Sequence, residues 1–305
     1  MTRHFLTMTD LSVAELRSLL HRAAELKQRP AAAKPVLAGR TVALVFQKPS
    51  MRTRVAFEVA VLRLGGAAIY LGQDDIQLGQ REPIQDVARV LSRYVDGIVV
   101  RTFGHADVEA FARYARCPVI NGLSDAVHPC QALADLLTIQ EAFGRLKALT
   151  VAYVGDGNNV LHSLVQGCAM LGLSLSAATP TGYRPNAALW AAAARDGKRH
   201  GATIAWTSHP AQAVRGADVV YTDVWTSMGQ ERERAVRLKA FRGYQINRSL
   251  LAKAKPGARI MHCLPAHRGE EITDDVMEHR RSLIFDQAEN RLHAHAALLE
   301  FLFRR

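Results

Sequence analysis

The chain has 305 residues, 49% of them hydrophobic and 22% charged, which is typical of globular proteins and excludes collagen-like, coiled-coil and disordered chains. At roughly 150 residues per domain, this length predicts about two domains. The net charge of +11 suits nucleic acid, an anionic small molecule or simple solubility, but the basic residues are spread along the chain without an interleaved aromatic ladder, which argues against nucleic acid.

Short β-branched segments alternate with amphipathic stretches in the first half of the chain. Thr41–Phe46 is predicted as a buried strand and Arg54–Leu64 as a helix. The series continues with a strand over Ala67–Leu71, a helix over Ile84–Tyr94, and strands over Gly97–Val100 and Pro118–Asn121.

A second series of the same kind begins at residue 150. Its predicted strands are Thr150–Val154, Leu173–Ala178, Thr203–Trp206, Asp218–Asp223 and Arg259–Cys263, and its predicted helices are Val160–Leu171 and Asn186–Arg199. Alternation of strands with helices is typical of βαβ units and parallel sheets.

Three further helices are predicted outside the two series. Ser12 and Glu15 form a capping box that opens the first helix, Pro129–Phe143 lies between the series, and Ala288–Phe303 ends the chain. We therefore predict an α/β fold of two doubly wound parallel-sheet domains joined by interdomain helices. The predicted domains are residues 1–142, with the terminal helix 288–305 packing back on them, and residues 143–287.

The sequence also bears on compartment and cofactors. No apolar run reaches the ~18 residues of a membrane span, and Met1–Leu6 lacks the apolar core of a signal peptide. The four cysteines are scattered and never form a CxxC pair, which favours reduced thiols over disulfides or structural zinc. We expect a cytoplasmic protein without a membrane partner, a metal or a cofactor.

The segment from Phe46 to Arg54 follows a predicted strand and opens a helix. A helix N-terminus presents unpaired N–H groups and partial positive charge, which suits a phosphate. Ser50 and Thr53 add hydroxyl groups, and Arg52 adds a guanidinium group that can bind two anionic oxygens. Taken alone, the segment is better explained as an ordinary helix cap at Ser50 followed by exposed arginines.

Two later segments carry polar groups at predicted helix starts. His128, beside Pro129 at the head of a helix, can donate a hydrogen bond towards a carbonyl oxygen, although such a histidine is more often a simple cap. Gly155–Asn159 follows a strand and is similar to a dinucleotide-binding turn. The third glycine of that fingerprint is missing and no acidic residue follows Leu173–Ala178, so an NAD-dependent oxidoreductase is a weak alternative.

The remaining segments follow predicted strands of the second series. Asp223 can pair with a substrate ammonium, and Ser227 lies on a loop that ends at Gly229. Cys263 beside His262 fits either a nucleophile or a thiol that lines a pocket.

Together, in this order and spacing, these segments closely resemble the aspartate/ornithine carbamoyltransferase superfamily, and within it the ornithine branch. The resemblance covers essentially the whole chain. DxWxSMG is the motif associated with ornithine, and aspartate or putrescine is the alternative acceptor. The matched motifs are SxRTR at Ser50–Arg54, HPxQ at His128–Gln131, GDGNN at Gly155–Asn159, DxWxSMG at Asp223–Gly229, HCLP at His262–Pro265 and ENR at Glu289–Arg291.

The resemblance implies transfer of a carbamoyl group from carbamoyl phosphate to the δ-amine of L-ornithine, without a cofactor or metal. It implies a carbamoyl-phosphate domain followed by an ornithine domain, and catalytic roles for Arg101, His128 and Cys263. The implied carbamoyl phosphate ligands are Ser50, Met51, Arg52, Thr53, Gln77, Arg101, His128, Pro129, Cys130, Gln131, Cys263, Leu264 and Arg291. The implied ornithine ligands are Asn159, Asp223, Ser227 and Met228.

The resemblance also implies a homotrimer or a multiple of trimers, because Gln77 matches a loop that reaches into a neighbouring subunit's site. Two residues depart from the family pattern. Met51 stands where many members have Thr, which removes a hydroxyl but keeps the backbone N–H. Gln47 stands where Glu is frequent, beside the site rather than in it.

Overall fold

The computed structural model of the protein describes residues 2–79 and 81–304. The chain divides into two compact units. The first contains Met1–Leu137 together with Glu289–Arg305, and the second contains Thr138–Ala288. Helices Pro129–Phe143 and Ile284–Phe303 each contribute residues to both units. The predicted functional domains, with bounds after residues 142 and 287, stay a prediction.

The first unit is built on a four-stranded parallel sheet. Its strands are β1 (Thr41–Phe46), β2 (Ala67–Leu71), β3 (Gly97–Arg101) and β4 (Val119–Leu123), in the spatial order β2-β1-β3-β4. Its helices are α1 (Val13–Gln28), α2 (Met51–Arg63), α3 (Gln73–Ile76), α4 (Ile84–Leu91), α5 (His105–Tyr114) and most of α6 (Pro129–Phe143). Residues of β1 and β3 are almost completely buried, as expected of strands covered on both faces.

The second unit contains a five-stranded parallel sheet in the order β7-β6-β5-β8-β9. The strands are β5 (Thr150–Val154), β6 (Ser174–Ala178), β7 (Ile204–Thr207), β8 (Val219–Thr222) and β9 (Arg259–His262). The helices are α7 (Asn159–Leu171), α8 (Ala187–His200), α9 (Pro210–Val214), α10 (Arg234–Ala240), α11 (Arg248–Leu251), α12 (Asp274–Met277) and the start of α13 (Ile284–Phe303).

Each sheet has a point where the chain reverses its direction of travel across the strands. In the first unit β2 and β3 lie on opposite sides of β1, and in the second unit β6 and β8 lie on opposite sides of β5. Ligands of doubly wound sheets bind beyond the carboxyl ends of the strands at such switch points. The predicted fold class of two doubly wound parallel sheets is confirmed, and the switch points indicate where each unit binds ligand.

Several predicted elements have shifted ends. Helix α4 ends at Leu91 rather than Tyr94. Ser92 is its C-cap residue, and the Ser92 backbone N–H donates to the carbonyl of Ala88. Helix α13 begins at Ile284, four residues before the predicted start. Within the described part of the chain, no helix combines the length and the apolar character that crossing a bilayer requires.

Candidate active site

In the first unit, the candidate site residues lie where β1 leads into α2. Ser50 caps α2: its hydroxyl oxygen accepts a hydrogen bond from the Thr53 backbone N–H at 3.2 Å and donates one to Thr53 Oγ1 at 3.0 Å. Arg291 Nη2, from α13, donates a second hydrogen bond to the same Oγ1 at 2.5 Å. Thr53 is completely buried. Because its oxygen accepts two bonds, its own hydroxyl proton is left to donate.

Arg101 ends β3, the strand next to β1, and stands opposite Phe46 in the register of the two strands. Its Nε donates to the carbonyl of Lys48 at 3.1 Å, and the residue is almost fully buried. Gln47 joins the same edge, since its side chain donates to the carbonyl of Leu78 at 3.1 Å and accepts from the Phe103 N–H at 3.3 Å. Gln47 therefore links the ends of β1 and β3 to the carbonyl of Leu78, and its place beside the site stays a prediction.

His128 precedes α6 and is buried among positive charges. Burial lowers its pKa well below the ordinary value, and the charges of Arg291, Arg101 and Arg52, with that of His295, lower it further. A neutral imidazole donates one hydrogen bond and carries no proton to transfer as an acid. His128 is therefore suited to polarising a substrate carbonyl rather than to protonating it.

Two residues at the start of α6 donate side-chain hydrogen bonds to neighbouring groups of the first unit. Gln131 Nε2 donates to Asp135 Oδ1 at 2.9 Å, with both residues buried. The Cys130 thiol donates to the carbonyl of Asn121 at 3.3 Å, and burial raises its pKa to about 12. Cys130 is therefore a protonated thiol at neutral pH.

In the second unit, the candidate site residues surround Asp223, which directly follows β8 and is 4% exposed. Its Oδ1 accepts a hydrogen bond from Cys263 Sγ at 3.0 Å, and its Oδ2 accepts one from Asn158 Nδ2 at 2.7 Å. Asn158 precedes α7 and Cys263 follows β9, so three neighbouring strand ends converge on this carboxylate.

The loop after Asp223 is anchored by Arg237 of α10. The Arg237 guanidinium donates to Asp156 Oδ2 at 2.9 Å and to the carbonyl of Trp225 at 3.0 Å. It also pairs with Glu233 at 2.9 Å. Burial raises the pKa of Asp156 to about 6, although Arg237 opposes that rise. The ion pair fixes the start of the loop that carries Ser227 and Met228.

His262 cannot serve as a base for the neighbouring Cys263. Its Nδ1 accepts a hydrogen bond from the Leu264 N–H at 2.8 Å, and its Nε2 lies 3.0 Å from Glu271 Oε1. Because Nδ1 is an acceptor, Nε2 carries the proton and donates it to Glu271. With both ring nitrogens occupied, Cys263 lacks the activating base that a nucleophilic thiol requires, and its thiol donates to Asp223 instead.

Two groups of side chains bring potential metal-ligand atoms within 4.8 Å of one another. They are Asp223, His262 and Cys263, and His267, Glu270 and Glu271. In the first group each ligand atom already takes part in the hydrogen bonds described above. A metal ion there would have to displace them.

The comparisons with known proteins agree with this geometry. Residues 3–141 match the family model described as "Aspartate/ornithine carbamoyltransferase, carbamoyl-P binding domain", and residues 147–302 match the corresponding "Asp/Orn binding domain". The chain belongs to the aspartate/ornithine carbamoyltransferase family.

Relatives in this family match along nearly the whole chain. The ornithine carbamoyltransferase of Acidothermus cellulolyticus is 56% identical over 302 residues, which are 99% of this chain and 97% of that protein. Among solved structures, the ornithine carbamoyltransferase of Pyrococcus furiosus has a TM-score of 0.94 at 51% identity, covering 98% of this chain and 96% of that one. That of Gloeobacter violaceus has a TM-score of 0.90 at 50% identity and covers 99% of both chains.

The residues that match the family's motifs fall into two sets. In the first unit lie Ser50, Met51, Arg52, Thr53, Gln77, Arg101, His128, Pro129, Cys130, Gln131 and Arg291. In the second lie Asn159, Asp223, Ser227, Met228, Cys263 and Leu264. Met51, Gln77 and Met228 are exposed, whereas Thr53, Arg101, His128 and Asp223 are buried. Their roles as ligands stay a prediction.

Several residues of the site are absent from the sequence prediction. Asn158 lies inside a family motif but is not among the implied ligands, and Asp135 supports Gln131 from one helical turn away. Arg237 and Glu271 lie outside the matched motifs. His295 stacks on Phe57 with ring centroids 3.9 Å apart. Only the i, i+4 spacing of Gln131 and Asp135 could have been noticed in the sequence.

Proposed function

We propose that the protein is an ornithine carbamoyltransferase, which transfers the carbamoyl group of carbamoyl phosphate to the δ-amine of L-ornithine and releases L-citrulline and phosphate. One observation carries the proposal. The chain combines a cationic cradle with a buried carboxylate. The cradle is made by Arg52, Arg101, Arg291 and the N-terminus of α2, and the carboxylate is Asp223, at the head of the DxWxSMG segment.

The cradle suits a phosphate leaving group. Arg52, Arg101 and the positive N-terminus of α2 stabilise the negative charge that grows on the phosphate as the C–O bond breaks. Neutral His128 and the hydroxyl proton of Thr53 donate to the carbamoyl oxygen as the carbon becomes tetrahedral. The Thr53 hydroxyl is already ordered by hydrogen bonds from Ser50 and Arg291, so it needs little reorganisation during the reaction.

The carboxylate suits an α-ammonium group. Asp223 holds the amino-acid end of ornithine, which aims the δ-nitrogen and makes the attack effectively intramolecular. The δ-amine must be neutral to attack, although a free alkyl amine has a pKa near ~10. Positive charges near the reacting carbon favour loss of its proton. Cys263 orients Asp223 and forms no covalent intermediate.

The same carboxylate discriminates between acceptors. Aspartate would bring two carboxylates towards the buried Asp223, which is electrostatically unfavourable. Putrescine carries an ammonium group but lacks the α-carboxylate that distinguishes an amino acid. We therefore propose ornithine as the acceptor over aspartate and putrescine.

The decisive experiment measures citrulline formation by the purified protein from carbamoyl phosphate and L-ornithine. Aspartate, putrescine and an Nα-acylated ornithine serve as the comparison panel. We expect the highest kcat/KM for L-ornithine. Preferred use of another amine, or no release of phosphate with any of them, would contradict the proposal.

We also propose that the protein works in the cytoplasm as a homotrimer or a multiple of trimers. The four cysteines are buried and none of them forms a disulfide, which fits a reducing compartment. Gln77 is exposed and adopts a left-handed backbone conformation with φ 41° at the end of α3. Such a position leaves its side chain accessible to a second copy of the chain.

A further inference from the structure

We infer that Asn158 is a positioning residue for the acceptor substrate: it fixes the orientation of the Asp223 carboxylate that receives the substrate ammonium. The inference rests on the proposed function, since it concerns how the acceptor is held. It assigns a role to the first asparagine of the Gly155–Asn159 segment, whereas the family resemblance points to the second.

The orientation of the Asn158 amide follows from its neighbours. Three donors converge on Oδ1, namely the backbone N–H groups of Val160 and Leu161 at 3.0 and 3.2 Å and the hydroxyl of Tyr153 at 3.4 Å. An amide nitrogen cannot accept these bonds, so Oδ1 must face them. Nδ2 therefore faces Asp223 Oδ2, to which it donates at 2.7 Å.

Asp223 is thereby held at both oxygens by neutral donors. Asn158 binds Oδ2, and the Cys263 thiol binds Oδ1. Neither donor cancels the negative charge, and each oxygen keeps lone-pair capacity for an ammonium group. The carboxylate can therefore not rotate about its last bond without losing a hydrogen bond in a buried site.

The helix alone does not explain the choice of asparagine. Asp and Ser cap helix N-termini about as well as Asn, because only a side-chain oxygen is needed. Only Asn supplies both the capping oxygen and a donor that reaches Asp223. The residue type at position 158 is therefore set by the carboxylate it holds and not by α7.

The substitution Asn158→Asp tests this assignment with almost no change in shape. It keeps the capping oxygen but places a second carboxylate oxygen against Asp223. Two carboxylates in contact share a proton, and the pKa of one of them rises strongly. While that proton is present it replaces the lost N–H, and as pH rises it is lost and the two carboxylates repel each other.

Other ionisable groups lie near this pair, and their titration also contributes to any pH dependence. They are Tyr153 on β5, Asp156 in the β5–α7 loop, Cys263 after β9 and Arg237 on α10, which is paired with Asp156. A matched control is Asn247→Asp, which alters the asparagine that caps α11 through the Leu250 N–H at 3.0 Å. Every measurement is compared with the wild type and with this control at the same pH.

We expect Asn158→Asp to raise the KM for ornithine about tenfold near pH 8, with a smaller effect on kcat and a smaller defect towards pH 6. Asn158→Ser, which retains a cap but cannot reach Asp223, should raise KM at all pH values. An unchanged KM in both variants would overturn the inference. So would a loss confined to kcat.

Thermal unfolding provides a readout that needs no substrate. In the folded Asn158→Asp variant the two adjacent carboxylates bind their shared proton more tightly than the unfolded chain does. The melting temperature of Asn158→Asp should therefore fall relative to that of Asn247→Asp as pH rises. Adding Asp223→Asn restores a single carboxylate and should remove this pH dependence. A flat difference between the two single variants would show that Asn158 does not hold Asp223. Absence of citrulline formation by the wild type would instead count against the proposed function.

Discussion

Three arginines, Arg52, Arg101 and Arg291, lower the pKa of a fully buried histidine, His128. Cationic side chains gathered around one buried histidine create a region of positive potential, which favours the binding of an anion. Changes to single residues of this group should alter both activity and stability in acid.

Removing one of these charges should act on carbamoyl phosphate. We expect Arg52→Ala to lower kcat/KM for carbamoyl phosphate by roughly 10²- to 10³-fold, since it removes a donor aimed at developing charge. Arg63→Ala is the matched control, because Arg63 is an exposed arginine at the end of the same helix. Steady-state kinetics with carbamoyl phosphate varied would check this, and near-normal turnover would remove Arg52 from the cradle.

The buried histidines should make the fold acid-sensitive. Burial holds the pKa of His128 and of His295 well below the ordinary value of 6.5. Below about pH 6.5 the unfolded chain binds protons that the folded chain does not, so stability is complete above this pH and falls as pH decreases.

His295 offers the cleaner test, since neither of its ring nitrogens has a hydrogen-bond partner among the described residues. We expect the melting temperature of the wild type to fall between about pH 7.5 and pH 5.5. The melting temperature of His295→Leu should fall by a few degrees less over the same range. The exposed His21→Leu should behave as the wild type. Equal losses in all three proteins would mean that His295 is charged in the folded state.

At the scale of elements, runs of apolar and β-branched residues predicted the strands of both sheets, and some of these strands also have the predicted ends. Thr41–Phe46, Ala67–Leu71 and Thr150–Val154 have the predicted bounds. Helix α5 was not predicted, because only Val108 and Phe111 mark its buried face. A helix is nevertheless required there, since parallel strands β3 and β4 need a crossover connection.

The loops of the site were the least predictable part. Their shape depends on contacts between segments far apart in sequence, such as the bond between Asn158 and Asp223 and the ion pair between Arg237 and Asp156. Composition and spacing identify chemical groups at strand ends but not their partners. The sequence therefore indicated which segments matter and left their hydrogen bonds undetermined.

Gly157 shows how tightly one of these loops is packed. A Cβ atom at this position would lie 2.4 Å from the backbone of Arg184 and of Pro185. We expect Gly157→Ala to displace the β5–α7 loop, lower stability by about 1–3 kcal/mol and raise the KM for ornithine. Gly257→Ala is the control, because a Cβ there meets nothing within 4 Å. Denaturant unfolding and kinetics of both variants would check this, and equal behaviour would contradict it.

At the scale of the whole molecule, alternation of strands and helices was enough to predict two doubly wound sheets. The spatial orders β2-β1-β3-β4 and β7-β6-β5-β8-β9 were beyond prediction, because strand order depends on long-range pairing. These orders place the switch points beside β1 and β5, the strands that lead into the SxRTR and GDGNN motifs. The positive net charge adds long-range attraction for an anionic substrate.

If the protein assembles into trimers as proposed, we expect activity to recover when two inactive variants are mixed. If Gln77 serves a neighbouring subunit's site, each site takes Gln77 from one subunit and Arg52 from another. The variants Gln77→Ala and Arg52→Ala then remove residues that different subunits contribute to the site. After dissociation and reassociation at equal amounts, about a quarter of the sites should combine both intact residues. Activity of the mixture is compared with that of each variant treated alone. No recovery after confirmed subunit exchange would argue against shared sites.

The division of the chain has a consequence for biosynthesis. Residues 138–288 form the second unit without a break, whereas the first unit needs residues 289–305 to complete it. Arg291, which binds Thr53, is therefore translated after every residue of the second unit. The first segment of the first unit leaves the ribosome early, but it must wait for residues 289–305. The second unit emerges as one continuous segment. During translation, the group of residues around Thr53 therefore cannot become complete before Arg291 has been made.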